Sequence, residues 1–139
     1  MKPNKLIPEL AVPNFEKSLN FYTKILGFKT EYQRKESKFA FLSIQKSQIM
    51  LEQINDSTWV TGKLKHPFGR GIHLQIHVKK LNPILKSLKK NKYPIFIEPY
   101  EKWYRKNKKL LGHRQFLVKD PDGYLLRFFE DIGTKRVER

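Results

Sequence analysis

Glu9, His73, Gln75, His77 and Arg127 carry functional groups at alternate positions of otherwise apolar runs. A carboxylate, two imidazoles, a carboxamide and a guanidinium can orient a ligand by charge and hydrogen bonding. They do not form a nucleophilic constellation. The chain has no Cys, which excludes thiolate chemistry, disulfides and Cys-ligated zinc. No carboxylate lies near His73 or His77 in sequence, so neither receives a catalytic role. Gly69-Arg70-Gly71 lacks the Lys-Ser/Thr pair and following helix of a phosphate loop. No catalytic residue is assigned.

Aromatic side chains form the second candidate set. Trp59 sits among Asp56, Ser57, Thr58 and Gly62, a polar setting for a large ring. It either anchors its loop or offers a face to a ligand. Trp103 and Tyr104 lie between Lys102 and Arg105 in an expected loop. Such interleaving suits stacking on a planar heteroaromatic ligand or a nucleobase, and packing is the competing reading. Phe39 and Phe41 alternate on one strand and are either core or pocket wall. Phe68, between Pro67 and Gly69, is placed to line the mouth of a cleft.

The positioning elements follow from periodicity. Leu6 to Val12 alternates and is bounded by Pro13-Asn14, which reads as a strand followed by a helix N-cap. Phe15, Leu19, Tyr22 and Leu26 recur at helical spacing up to Gly27. Strands are predicted over 28–34, 39–45 and 48–54. The second half repeats the order: a strand over 71–78, a helix carrying Leu81, Ile84, Leu85 and Leu88, and strands at 95–98, 116–118 and 124–129. Asp120-Pro121-Asp122-Gly123 is a strong turn signal.

The expected fold is thus α+β: two tandem β-α-β-β-β modules forming curved, mostly antiparallel sheets around a cleft. Module one spans about 5–54, a connector 55–70, module two 71–130, and a frayed polar tail 131–139, all within one domain. Each helix must cover an apolar sheet face. Alternation then turns Leu10, Val12, Leu74, Ile76, Val78, Leu126 and Phe128 to the helices. Glu9, His73, Gln75 and Arg127 face the other way, with Ile7, Leu51, Leu125 and Phe129. These side chains either form a solvated sheet face or, if the modules curve together, line one concavity. Mixed apolar and polar lining is what ligand pockets use.

Charge qualifies this picture. Among 139 residues, 29 Lys and Arg against 13 Asp and Glu leave a net charge of +16. Composition alone points to polyanions. The Lys runs at 86–92 and 105–109 fall on a helix back and a loop, however, and no nucleic-acid-binding motif accompanies them, so nucleic acid is not the expected partner. No run of about 18 apolar residues is present, so no membrane span is expected. Neither is a signal peptide, and the expected location is cytoplasmic.

Glu9-Leu10-Ala11-Val12, Ser18-Leu19-Asn20-Phe21-Tyr22, Leu26-Gly27-Phe28 and Gln115-Phe116-Leu117-Val118-Lys119-Asp120-Pro121-Asp122-Gly123 carry a resemblance that covers nearly the whole chain. The sequence resembles the vicinal-oxygen-chelate superfamily of glyoxalase I, extradiol dioxygenases, fosfomycin-resistance transferases and bleomycin-resistance proteins. The resemblance implies a divalent-metal site in the enzymes. Its ligand positions fall here on Ile7, His73, Leu51 and Arg127, of which only His73 ligates metals. No metal and no cofactor are therefore expected. The metal-free bleomycin-resistance proteins are the nearest match, through Gly112-His113-Arg114-Gln115-Phe116 and a Trp in each corresponding loop. This implies a homodimer that sequesters a bleomycin-type glycopeptide without changing it. On that reading the ligand-binding residues are Trp59, Trp103, Phe39, Phe41, Phe68, Glu9, His73, Gln75, Arg114 and Arg127. An enzyme of the same fold acting on another small molecule, with a metal site or as a metal-free lyase or isomerase, and a Lys-rich nucleic-acid module are the alternatives.

Overall fold

Proline sets the length of the first strand. Pro8 and Pro13 bracket Glu9–Val12 (β1), and neither can donate to a ladder. The computed structural model describes Met1 to Glu138. β1 runs parallel to Ser47–Gln53 (β4), with Glu9 opposite Met50 and Ala11 opposite Glu52. Asn14 caps the first helix as expected: its Oδ1 accepts the Lys17 N–H at 3.1 Å. That helix is not uniform. Phe15–Asn20 (α1) is α-helical, and Phe21–Ile25 widens into a π-helical turn. Gly27, at φ +92°, ends it. Lys29–Arg34 (β2) and Phe39–Ile44 (β3) complete a sheet of order β1-β4-β3-β2, antiparallel except for the β1–β4 pair.

Register decides which side chains reach which face. Leu10 lies opposite Leu51, and Leu51 opposite Ala40; with Val12 and Leu42 they form the buried core under α1. Leu51 therefore belongs to the helix side and not to the ligand face where alternation placed it. A one-residue slip in register exchanges the faces. The outward row is Glu9, Met50, Phe41 and Tyr32, and next to it Ala11, Glu52, Phe39 and Arg34.

The second module repeats this layout with longer strands. His73–His77 (β5) runs parallel to Leu125–Arg136 (β8), followed across the sheet by Lys109–Lys119 (β7) and Ile97–Lys106 (β6). The sheet order β5-β8-β7-β6 matches module one. Asn82–Lys90 (α2) has Pro83 in its first turn and buries Ile84 and Leu88. Three expectations change here. Trp103 and Tyr104 lie in β6, not in a loop. Residues 109–115 extend β7. Residues 131–136 are ladder and not a frayed tail. Many of these residues keep their side chains in water, so pairing rather than burial makes them strand, and no apolar alternation announced it.

The chain divides into two compact units. One contains Met1–Gly71 together with Asp120–Tyr124; the other contains Ile72–Lys119 and the chain from Leu125 onward. The Asp-Pro-Asp-Gly turn thus belongs with the first module. Asp120 Oδ1 accepts the N–H groups of Asp122 and Tyr124, both at 2.9 Å. Tyr22 Oη donates to Asp120 Oδ2 at 2.8 Å, Ser18 Oγ to Asp122 at 3.2 Å, and Tyr124 Oη to the Ala11 carbonyl at 2.9 Å. No helix among the described residues is long and apolar enough to cross a membrane.

Candidate functional site

On module one, β1 and β4 turn Glu9, Ala11 and Glu52 to the face away from α1, and the connector brings Ser57, Thr58 and Trp59 to them. These six residues line a cavity of about 400 Å³. Local hydrogen bonds shape the loop: Asn55 Oδ1 accepts the Ser57 N–H at 2.7 Å, and Thr58 Oγ1 accepts the Asn55 N–H at 2.8 Å. Trp59 is 96% exposed, so its ring is available to a ligand rather than committed to the core. Desolvation first, and the Glu52 carboxylate second, push the Glu9 carboxyl above its usual range; Arg34 acts in the opposite sense. Two carboxylates on one cavity wall suit a cationic group, whose charge offsets their mutual repulsion.

Phe39 and Phe41 occupy the same face but lie beneath other side chains. The Arg34 guanidinium sits 3.9 Å from the Phe39 ring centroid, and Tyr32 stacks on Phe41 at 5.3 Å. Both phenylalanines are buried. Phe68 lies elsewhere in the unit. Its ring meets Tyr124 edge-on at 5.8 Å and its N–H donates to the Asp122 carbonyl.

On module two, β5 presents His73, Gln75 and His77 opposite Leu125, Arg127 and Phe129 of β8. The structure brings Gln75 and Arg127 together: Nη2 of Arg127 donates to Gln75 Oε1. Arg127 Nη1 also donates to Tyr104 Oη at 3.4 Å. Gln115, 1% exposed, donates through Nε2 to Tyr100 Oη at 2.8 Å and Tyr104 Oη at 2.6 Å. His77, Phe129 and His113 form a stack with centroids 4.6 and 3.9 Å apart. Burial, and then the Arg127 charge, hold the His113 imidazole below its ordinary pKa. Sequence reasoning missed Tyr100, His113 and Gln115 as face residues. The alternation of Tyr100, Lys102 and Tyr104 was the available signal.

Two candidates point away from this face. Trp103 lies opposite Gly112 with the Lys135 ammonium 3.9 Å from its ring. Arg114 donates to Glu130 Oε1 and Asn82 Oδ1, each at 3.1 Å, at the start of α2. A further cavity of about 540 Å³, at the β6–β7 hairpin end, is lined by Arg105, Lys108, Lys109, Arg136 and Val137.

The donor set does not fit the metal that the resemblance implies for enzymes. Among the described residues no three His, Cys, Asp or Glu gather. The module-two row places a guanidinium where a carboxylate ligand is needed. In module one the residue matching Arg127 by register is Met50, across from Glu9 as Arg127 is from Gln75.

Comparison with known proteins agrees with this architecture. A family model described as Glyoxalase/Bleomycin resistance protein/Dioxygenase superfamily matches residues 6–128. No curated protein matches the chain. Among solved structures, a glyoxalase/bleomycin resistance protein/dioxygenase from Alicyclobacillus acidocaldarius aligns with TM-score 0.65 at 16% identity, covering 94% of this chain and 92% of its own. A virulence protein from Salmonella typhimurium aligns with TM-score 0.65 at 19% identity, covering 94% and 98%. A fosfomycin resistance protein from Listeria monocytogenes aligns with TM-score 0.58 at 17% identity, covering 93% and 92%.

Proposed function

The chain belongs to the Glyoxalase/Bleomycin resistance protein/Dioxygenase superfamily, and from that premise we propose that it binds and sequesters a small molecule of the bleomycin type without transforming it, acting as a cytoplasmic homodimer. The observation that carries this reading is the module-one cavity, where an exposed indole stands beside two carboxylates. Trp59 supplies a flat face for a heteroaromatic group. Glu9 and Glu52 supply charge for a cationic one. The local acid answers the main objection to a cationic ligand, the net charge of +16. That charge repels the drug at long range and slows its approach at low salt, whereas contact inside the cavity is with carboxylates.

The test is a fluorescence titration with bleomycin at two salt concentrations, using the Trp103→Phe variant so that Trp59 is the only indole. Saturable quenching of Trp59, with a calorimetric affinity for bleomycin that is lost in Trp59→Ala, supports the proposal. Absence of any response at micromolar drug overturns the ligand assignment.

A further inference from the structure

We propose that the strand face of module two is an oxyanion site, formed by Arg127 with the hydroxyls of Tyr100 and Tyr104, that takes the carboxylate of a small organic acid. It rests on reading the chain as a small-molecule binder, but uses neither Trp59 nor the acidic cavity. Arg127 is half-buried, and its two hydrogen-bond partners, Gln75 and Tyr104, are neutral. None of the ion pairs among the described residues includes it. Its Nε is buried and has no partner. A guanidinium withdrawn from water without a counter-charge is costly, and a bound anion removes that cost. Glu130, the carboxylate next along β8, is committed to Arg114 and Lys80.

Gln115 sets the polarity of the tyrosines. Its Nε2 donates to both hydroxyl oxygens, so each hydroxyl keeps its own proton to give outward. Tyr104 also accepts from Arg127, which leaves donation as its remaining role. Two O–H donors and one guanidinium converge without an acidic residue among them, and that set is complementary to an oxyanion. Gln115 Oε1 is buried and unpartnered, so the network is incomplete as it stands. Tyr100 is 40% exposed, which leaves the site open to solvent.

The probe is 3-phenylpropanoate, titrated into the full chain by calorimetry, with 3-phenylpropanamide and inorganic phosphate as comparisons. The acid is expected to bind at least tenfold more tightly than the amide, which lacks the charge. Arg127→Gln is expected to reduce acid affinity about tenfold, and Arg127→Lys less, because lysine keeps the charge and loses the fork. Tyr100→Phe/Tyr104→Phe removes two hydroxyls, and with them the partners of Gln115 Nε2, and is expected to weaken acid binding in protein whose folding is checked by circular dichroism and thermal melting. Should Arg127→Gln not fold, this double variant decides the matter. Equal binding of acid and amide, or an unchanged affinity in the double variant, overturns the oxyanion site. Phosphate binding as tightly as the acid overturns the assignment to a carboxylate. Bleomycin quenching at Trp59 reads out separately, so loss of one result leaves the other standing.

Discussion

The Trp103 ring fills the space that a side chain at Gly112 would occupy. A Cβ built at Gly112 would lie 2.6 Å from two atoms of the indole and 2.8 Å from Ile132 Cγ1. The cross-strand pair of β6 and β7 is thus a bulky ring against an empty position, and the ring edge is rigid.

Gly112→Ala is therefore expected to destabilise the protein by about 1–3 kcal/mol, the usual cost of overpacking. Trp103→Ala in the same chain removes the clash with the indole, leaves the one with Ile132, and recovers part of the loss. Urea denaturation of the two single variants and the double variant measures the coupling.

The turn at Asp120 makes stability depend on pH. Burial pushes its carboxyl up to about 6, against the favourable hydrogen bonds from Tyr22 and the turn N–H groups. The raised value means that the folded protein holds a proton which the unfolded chain has released. Between about pH 4 and pH 6 stability falls as pH rises, by about 3 kcal/mol for a shift of this size. Asp120→Asn imitates the protonated form and is expected to flatten that segment of the pH–stability curve, read by denaturant midpoints from pH 4 to pH 7.

Glu9 and Glu52 act on each other. Replacing Glu52 by Gln removes a like charge, so the Glu9 carboxyl is expected to move down toward its ordinary pKa while desolvation still holds it above. A side-chain NMR titration of Glu9 follows the change. The same variant is expected to bind a cationic ligand about three- to tenfold more weakly, as one charged contact is lost.

The long hairpin of module two sets like charges face to face. Lys109 lies opposite both Lys106 on β6 and Arg136 on β8. Lys109→Glu is expected to raise stability by about 0.5–1 kcal/mol at low salt. The gain shrinks toward zero near 1 M salt, where the charges are screened, and thermal melts at both ionic strengths check it.

How much of this was legible in the residues depends on what held each element. Pro, Gly and Asn marked the ends of β1, the cap of α1 and the turn before β8, and period-two alternation assigned Glu9, His73, Gln75 and Arg127 to one side of their sheets. Leu51 was misplaced because its face is set by long-range pairing: the Met50 N–H bonds the Pro8 carbonyl at 2.9 Å, and Leu51 comes to lie opposite Leu10 on the helix side. Trp103 and Tyr104 read as loop because charged and aromatic residues alternate there with no apolar face. The π-helical turn at Phe21–Ile25 left no signal, since its apolar spacing also satisfies an ordinary helix. The pairing of Gln115 with two tyrosines joins residues whose side chains meet only after β6 and β7 zip together.

The five residues Asp120–Tyr124 complete the first unit although they are encoded between two strands of the second. Cutting the gene at the connector therefore does not yield two autonomous halves. A fragment ending at Gly71 would lose the acceptor of the Tyr22 hydroxyl and the donor to the Ala11 carbonyl. Its core would lose both pairings, which the distal half of the chain supplies. The repeat visible in the element order is therefore not divisible at the connector: the first half is complete only with a loop that the second half carries.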